Sequence, residues 1–203
     1  MSIRDTSLDP RIMESAKKEF VKKGFLDASL NTICRNAGIT TGAIYRRFKG
    51  KEELFIAVVQ PAIDVLNTLS DETFEAYKTM EKEHSLKETW ANSTENIKKW
   101  IKRLYKEKES IKILLSKSDG TVHSNFIHNF IEENFRGSYQ LMKDFESKGV
   151  CRVSLSYEEY HILVTCYWTA LFEMFVHDFT LENALAFALK TDKFFAWKKF
   201  IEF

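Results

Sequence analysis

Between Ser29 and Lys51 the chain gathers groups that suit recognition of a polyanion. They are the hydroxyls of Ser29, Thr40, Thr41 and Tyr45, the guanidiniums of Arg46 and Arg47, and the Lys51 ammonium. Gly42 and Ala43 stand among them, small enough to let a backbone approach base edges. Ala43 is suited to a thymine methyl and Arg46 to guanine O6 and N7. Thr40, Tyr45 and Lys51 suit phosphates, as do backbone amides at helix starts. Ser29 belongs to the same candidate set, and Arg47 offers a further phosphate contact.

These groups need a rigid mount, and the surrounding residues describe one. By capping and periodicity a helix runs from about Ser29 to Ala37 with Leu30, Ile33 and Ala37 inward, and Gly38 ends it. Thr40 can cap a short second helix carrying Ile44 and Phe48 on one face. Helix, tight turn with glycine, then short helix is the helix-turn-helix pattern, and Ala37, Gly38, Ile39, Ile44 and Phe48 supply its anchors. Ahead of it, Ile12, Ala16 and Phe20 recur every four residues from Pro10 to Lys23, with Asp9 as cap and Gly24 as stop. Behind it, a helix starts near Lys51 with the apolar row Leu54, Val58, Ala62 and Leu66, and Pro61 predicts a kink or break there.

The rest of the chain also reads as helix. Ser85–Glu88 is a capping-box pattern heading a helix with Trp90, Ile97, Trp100, Ile101 and Leu104. Ile111–Leu115 is a short apolar piece ending at Ser118-Asp119-Gly120. A helix of about 25 residues runs on to Lys148-Gly149. Ser156–Glu159 is a second capping box, before an almost uniformly apolar helix to about Val176, and Thr180 can cap a last helix reaching the C-terminus. The expected fold is all-α with about nine helices and no strand alternation. A small N-terminal domain over 1–52 precedes a larger helical domain over 53–203.

Composition narrows the class. Hydrophobic residues make up 44% of 203 and include 17 Phe, 7 Tyr and 4 Trp, which is enough for a substantial core. Net charge is only +1, but residues 1–50 hold ten Lys and Arg against five Asp and Glu, while the remainder holds twenty against twenty-four. A basic head on an acidic body fits a polyanionic partner. The three cysteines, Cys34, Cys151 and Cys166, form no zinc-type spacing and fit a reducing interior. The N-terminus lacks an apolar core, and the stretch around Leu163–Val176 is too short to span a bilayer, so a soluble cytoplasmic protein is expected. No phosphate loop, G-x-S-x-G or HExxH is present, so an enzyme is not expected, nor is a cofactor or a metal.

Residues 9–59 resemble the TetR/AcrR regulators over a whole DNA-binding domain. The shared features are Phe20, Gly24-Phe25, Ser29, Ile33 and the run AGITTGAIYRRFKGKEEL from Ala37 to Leu54. Cys34 stands where that family usually has Ala, a volume change suited to packing more than to redox sensing. Arg47 stands where His or Tyr is frequent. The resemblance implies a dimeric all-α transcription regulator, a repressor by family habit, whose third helix enters the major groove. It implies a ligand pocket enclosed by helices 4–7 and a four-helix bundle between subunits made by the last two helices.

The aromatic residues Trp90, Trp100, Phe126, Phe130 and Tyr139, with Met142, are pocket candidates for a small hydrophobic or aromatic effector. His123, His128 and His161 could add polar contacts, without a metal spacing. Tyr167, Leu171, Phe175, Leu185 and Leu189 are dimer-interface candidates. Two heads would sit on a pseudo-palindromic operator in double-stranded DNA. The rival reading is a helical protein-interaction module whose basic head binds an acidic protein partner.

Overall fold

The computed structural model describes residues 8–78 and 93–202. Its helices are α1 Leu8–Asp27, α2 Leu30–Ala37, α3 Thr41–Tyr45, α4 Lys51–Lys78, α5 Ser93–Leu104, α6 Lys108–Ser116, α7 Phe126–Ser147, α8 Tyr157–Val176 and α9 Leu181–Phe195. The all-α expectation therefore holds in class and closely in helix number. The predicted Ser85 capping box lies outside the described residues.

The chain packs as two compact units. The first comprises residues 1–64 with 107–124, and the second residues 65–106 with 125–203. The expected boundary at 52 thus falls inside the first unit, which also takes in α6. That helix packs on α1, and the Phe25 amide donates to the Lys117 carbonyl at 3.0 Å.

In the first unit the four-residue spacing of α1 buries Ile12, Ala16 and Phe20 completely. Phe20 and Phe25 meet Phe55 of α4 edge-on, at 5.0 and 5.3 Å between ring centres. Burying one such ring stabilises the fold by about 1.5–3 kcal/mol. Gly24 interrupts α1 with φ 73°, ψ 174°, a backbone turn that a side chain would resist.

Helix α4 continues past Pro61 to Lys78, where a kink or break was expected. Proline costs this helix a backbone donor. Leu54, Phe55, Val58, Val59, Ala62 and Leu66 are nonetheless fully buried on both sides of it, and that packing offsets the loss. The helix is 28 residues long and apolar enough to cross a membrane by length and composition, but its buried face is core within the chain.

The second unit holds the aromatic core. Ser156 and Glu159 close the predicted capping box at the start of α8: Glu159 N donates to Ser156 Oγ (3.2 Å) and Ser156 N to Glu159 Oε2 (2.8 Å). Thr180 caps α9 through the Asn183 amide. The last helix stops at Phe195, where Ala196 turns left-handed (φ 45°, ψ 49°), and a single 3-10 turn follows over Trp197–Lys199. A two-residue strand β2, Ile201–Glu202, then pairs antiparallel with β1, Arg152–Val153. That pair is too short to leave any alternation in the sequence.

Candidate nucleic-acid interface and candidate effector cavity

Helix α3 is held by the backbone chemistry that its sequence prescribes. Ser29 Oγ accepts from Thr32 N (3.4 Å) and opens α2, while Thr40 Oγ1 accepts from Ala43 N (3.2 Å) and opens α3. Between them Gly38 sits in the left-handed region (φ 65°, ψ 40°), and Ile39 N reaches back to the Cys34 carbonyl at 3.0 Å. A Cβ on Gly38 would come within 2.5 Å of the Arg11 guanidinium. Helix α1 grips α2 by polar contacts as well as apolar ones. Ser15 Oγ donates to the Ile33 carbonyl (2.9 Å), and the buried Glu19 carboxylate accepts from Ser29 N (3.2 Å).

The residues singled out from sequence divide into an outward and an inward set. Thr40, Thr41, Gly42, Tyr45 and Arg46 are exposed, with Tyr45 58% accessible. The other four differ from expectation. Ala43 is buried beside Ile44, because a helix of five residues has only one turn with which to anchor itself. Its methyl group is therefore part of the anchor. The Arg47 side chain is only 6% exposed: Nε donates to Asp9 Oδ1 at 2.6 Å and NH1 to the Ala43 carbonyl at 3.1 Å. The Lys51 ammonium donates to the Leu26 and Ala28 carbonyls (2.8 and 3.1 Å) and lies 4.8 Å from the Phe25 ring centre. It thereby supplies a donor to the Leu26 carbonyl in the last turn of α1 and another to the Ala28 carbonyl just past it. Ser29 is half-buried and spends its hydroxyl on the α2 cap.

Sequence reading passed over Arg35 and Asn36, exposed on the last turn of α2, and exposed Arg11 beside Gly38. The outward positions of the α2 helical wheel carried that signal. Cys34 is buried, and burial pushes its thiol up, so it packs rather than reacts.

A cavity of about 200 Å³ lies within the second unit. Its wall takes Thr73 and Tyr77 from α4, Phe135, Ser138, Met142 and neighbours from α7, Tyr160, Val164, Tyr167 and Trp168 from α8, and Asp192 and Trp197. Of the predicted pocket residues, Met142 lines it. Trp100 lines an adjoining recess of about 140 Å³, its Nε1 donating to Thr73 Oγ1 at 3.2 Å. Phe130 is buried against Phe126 and Phe172, and so belongs with Phe126 to a stack outside the cavity wall. Tyr139 stands one layer out, donating to the Leu155 carbonyl (3.0 Å) with its ring against Tyr160. Trp90 lies outside the described residues. His161 Nδ1 lies 3.4 Å from Glu132 Oε1, away from the cavity wall, and no metal-binding group of three occurs among the described residues.

The dimer candidates need correction too. Tyr167, Leu171 and Phe175 are buried in the chain's own core, while Leu185 and Leu189 are half-buried. An almost uniformly apolar helix does not reveal which of its faces turns inward. The exposed apolar residues of these two helices are Ile162, Leu181 and Phe194, the last 84% accessible.

Comparison with known proteins agrees with this geometry. Residues 12–58 match the profile of the bacterial regulatory proteins of the tetR family. The HTH-type transcriptional regulator SrpR of Pseudomonas putida is 47% identical over 49 residues, 24% of this chain and 23% of that protein. An HTH-type transcriptional regulator of Staphylococcus aureus is 35% identical over 75 residues, 35% of this chain and 40% of that protein. The matches thus span well under half the length of these curated relatives.

Similarity of fold extends further. A transcriptional regulator of the same family from Aquifex aeolicus superposes with TM-score 0.61 at 20% identity, over 92% of this chain and 99% of its own. NalD, the secondary repressor of the MexAB-OprM multidrug efflux pump in Pseudomonas aeruginosa, gives 0.58 at 19% identity, over 94% of each chain. Residues 12–58 thus form a helix-turn-helix of the tetR-family kind, and the chain as a whole is similar in fold to TetR/AcrR regulators along almost its whole length.

Proposed function

We propose that this chain is a sequence-specific DNA-binding transcription repressor of the cytoplasm. It acts as a homodimer on a pseudo-palindromic operator and is released by a small hydrophobic effector. The observation that carries the reading is the outward face of α3. The side chains of Thr41, Tyr45 and Arg46, with Gly42, are exposed on a helix whose side-chain cap and core contacts come from Thr40, Ala43 and Ile44. A helix mounted so can enter a major groove, with Arg46 facing base edges and Tyr45 a phosphate. One turn of helix reads few bases, so two copies are needed, with half-sites about 34–36 Å apart.

The corrected burial moves the proposed subunit contact to the exposed face around Ile162 and Phe194. The effector reading rests on the cavity of the second unit. Helix α4 supplies core residues to the first unit and Thr73 and Tyr77 to the cavity wall, so it is one of the chain's covalent links between effector and DNA.

The test is binding to the chain's own promoter region, followed by fluorescence anisotropy. Affinity that falls steeply with salt, yet survives excess unrelated duplex, supports specific recognition. Loss of all binding under that competitor would refute it, and would favour an acidic protein as partner of the basic head. Substituting Thr41 or Arg46 should change base preference, whereas Tyr45→Ala should weaken all sites alike.

A further inference from the structure

We propose that the cavity of the second unit takes a small hydrophobic organic cation, an aryl or alkyl ammonium, held at the Asp192 carboxylate among aromatic rings. The inference rests on the reading of this cavity as the effector site and names the chemistry it selects.

The wall combines two features that suit one kind of ligand. Tyr77, Phe135, Tyr160, Tyr167, Trp168 and Trp197 give it an aromatic lining. Asp192 is the one acidic side chain among the described wall residues, and no Lys, Arg or His accompanies it. Thr94 Oγ1 donates to Asp192 Oδ2 at 2.7 Å, and no cation pairs with this carboxylate among the described residues. Asp192 is half-buried at the edge of this apolar recess, and a cation that sheds water here meets its carboxylate where opposite charges attract more strongly than in bulk water. Its field is felt nearby: the Tyr167 phenol is pushed up by burial first and by the Asp192 charge second. The same field repels an anionic ligand, and a neutral hydrocarbon would leave it uncompensated.

Aromatic faces complete the match, because a cation that sheds water is attracted by the ring quadrupole, most strongly by Trp. Tyr160, with burial pushing its phenol up, stays a neutral hydroxyl and adds no competing charge. A volume of about 200 Å³ suits a single ring bearing one ammonium group.

The test compares phenyltrimethylammonium with tert-butylbenzene, its uncharged counterpart of the same shape, by calorimetry and by the fluorescence of the wall tryptophans. The expected result is that the cation binds the full-length protein about tenfold or more tightly than the hydrocarbon. Asp192→Asn should remove that preference and leave hydrocarbon affinity unchanged. Should D192N lower the melting temperature, Trp197→Leu is the second variant, expected to weaken the cation more than the hydrocarbon. Equal affinity for both probes in the parent protein, or a cation affinity indifferent to both variants, overturns the proposal. Release of promoter DNA is followed in the same titrations. Asp192-dependent cation binding without DNA release supports the cation inference and refutes the effector reading. Release by tert-butylbenzene alone does the reverse, and no binding of either probe refutes both.

Discussion

Replacing Arg47 by Met separates a structural cation from a DNA-binding one. Methionine keeps much of the side-chain length but removes the donors to Asp9 Oδ1 and the Ala43 carbonyl. Breaking a fully buried ion pair costs about 3–5 kcal/mol, and an exposed pair is worth about 0.2–1 kcal/mol. Here Arg47 is 6% exposed but Asp9 is 32% exposed, so water can reach the carboxylate left behind. The expected loss is intermediate, about 2 kcal/mol. For a chain of this length that corresponds to a fall of roughly 4–8 °C in melting temperature.

The DNA readout should differ in kind. An Arg47 that touches no phosphate leaves the slope of log affinity against log salt unchanged, even where a loosened α3 lowers affinity at every salt concentration. Arg46→Ala removes a cation facing base edges and should change base preference, whereas losing one phosphate-binding cation from each subunit of a dimer takes about 2 from that slope. Both quantities come from thermal melts and from anisotropy titrations with a labelled promoter duplex between about 50 and about 300 mM salt. An Arg47→Met protein that melts normally and loses about 2 from the salt slope would refute the assignment of Arg47 to the interior.

Gly38→Ala forces a Cβ into a left-handed residue against the Arg11 guanidinium and should cost about 1–2 kcal/mol, read as a lower melting temperature. Burial holds the His123 imidazole below its ordinary 6.5. The unfolded chain therefore binds the proton first as pH falls, and stability contributed at neutral pH is lost below about 6.5. His123→Asn should flatten the dependence of melting temperature on pH between about 7.5 and about 5.5. Ile162→Glu should shift sedimentation from dimer towards monomer while leaving the fold intact. Leu171→Ala should instead cost about 2–5 kcal/mol of stability, since Leu171 is core.

The local grammar of the head was legible in the sequence. Thr40 caps the helix it was expected to cap, as does the Ser156/Glu159 pair beyond the head, and Gly24 and Gly38 turn the backbone where expected. Such signals act over three or four residues, so the sequence holds both partners side by side. What escaped is set by distance along the chain. Arg47 finds its acid 38 residues away at Asp9, and Lys51 finds its carbonyls 25 and 23 residues back. A cation read without those partners looks free for phosphate. The inward turn of Tyr167, Leu171 and Phe175 was hidden for a different reason: α8 is apolar nearly all round, so periodicity marks no single buried face. The cavity wall draws on α4, α7, α8, α9 and the turn at Trp197, a grouping that no spacing in the sequence announces.

With Arg47 turned inward and Lys51 spent on carbonyls at the end of α1 and just past it, the side chains on the outer side of α3 have no duty in holding the domain together. Thr41, Tyr45 and Arg46 can then be exchanged wholesale, and the scaffold beneath should keep its shape and heat resistance. Such a division lets relatives diverge in the sequences they visit while inheriting one unchanged mount, and it marks these three positions as the place to begin retargeting the protein by design.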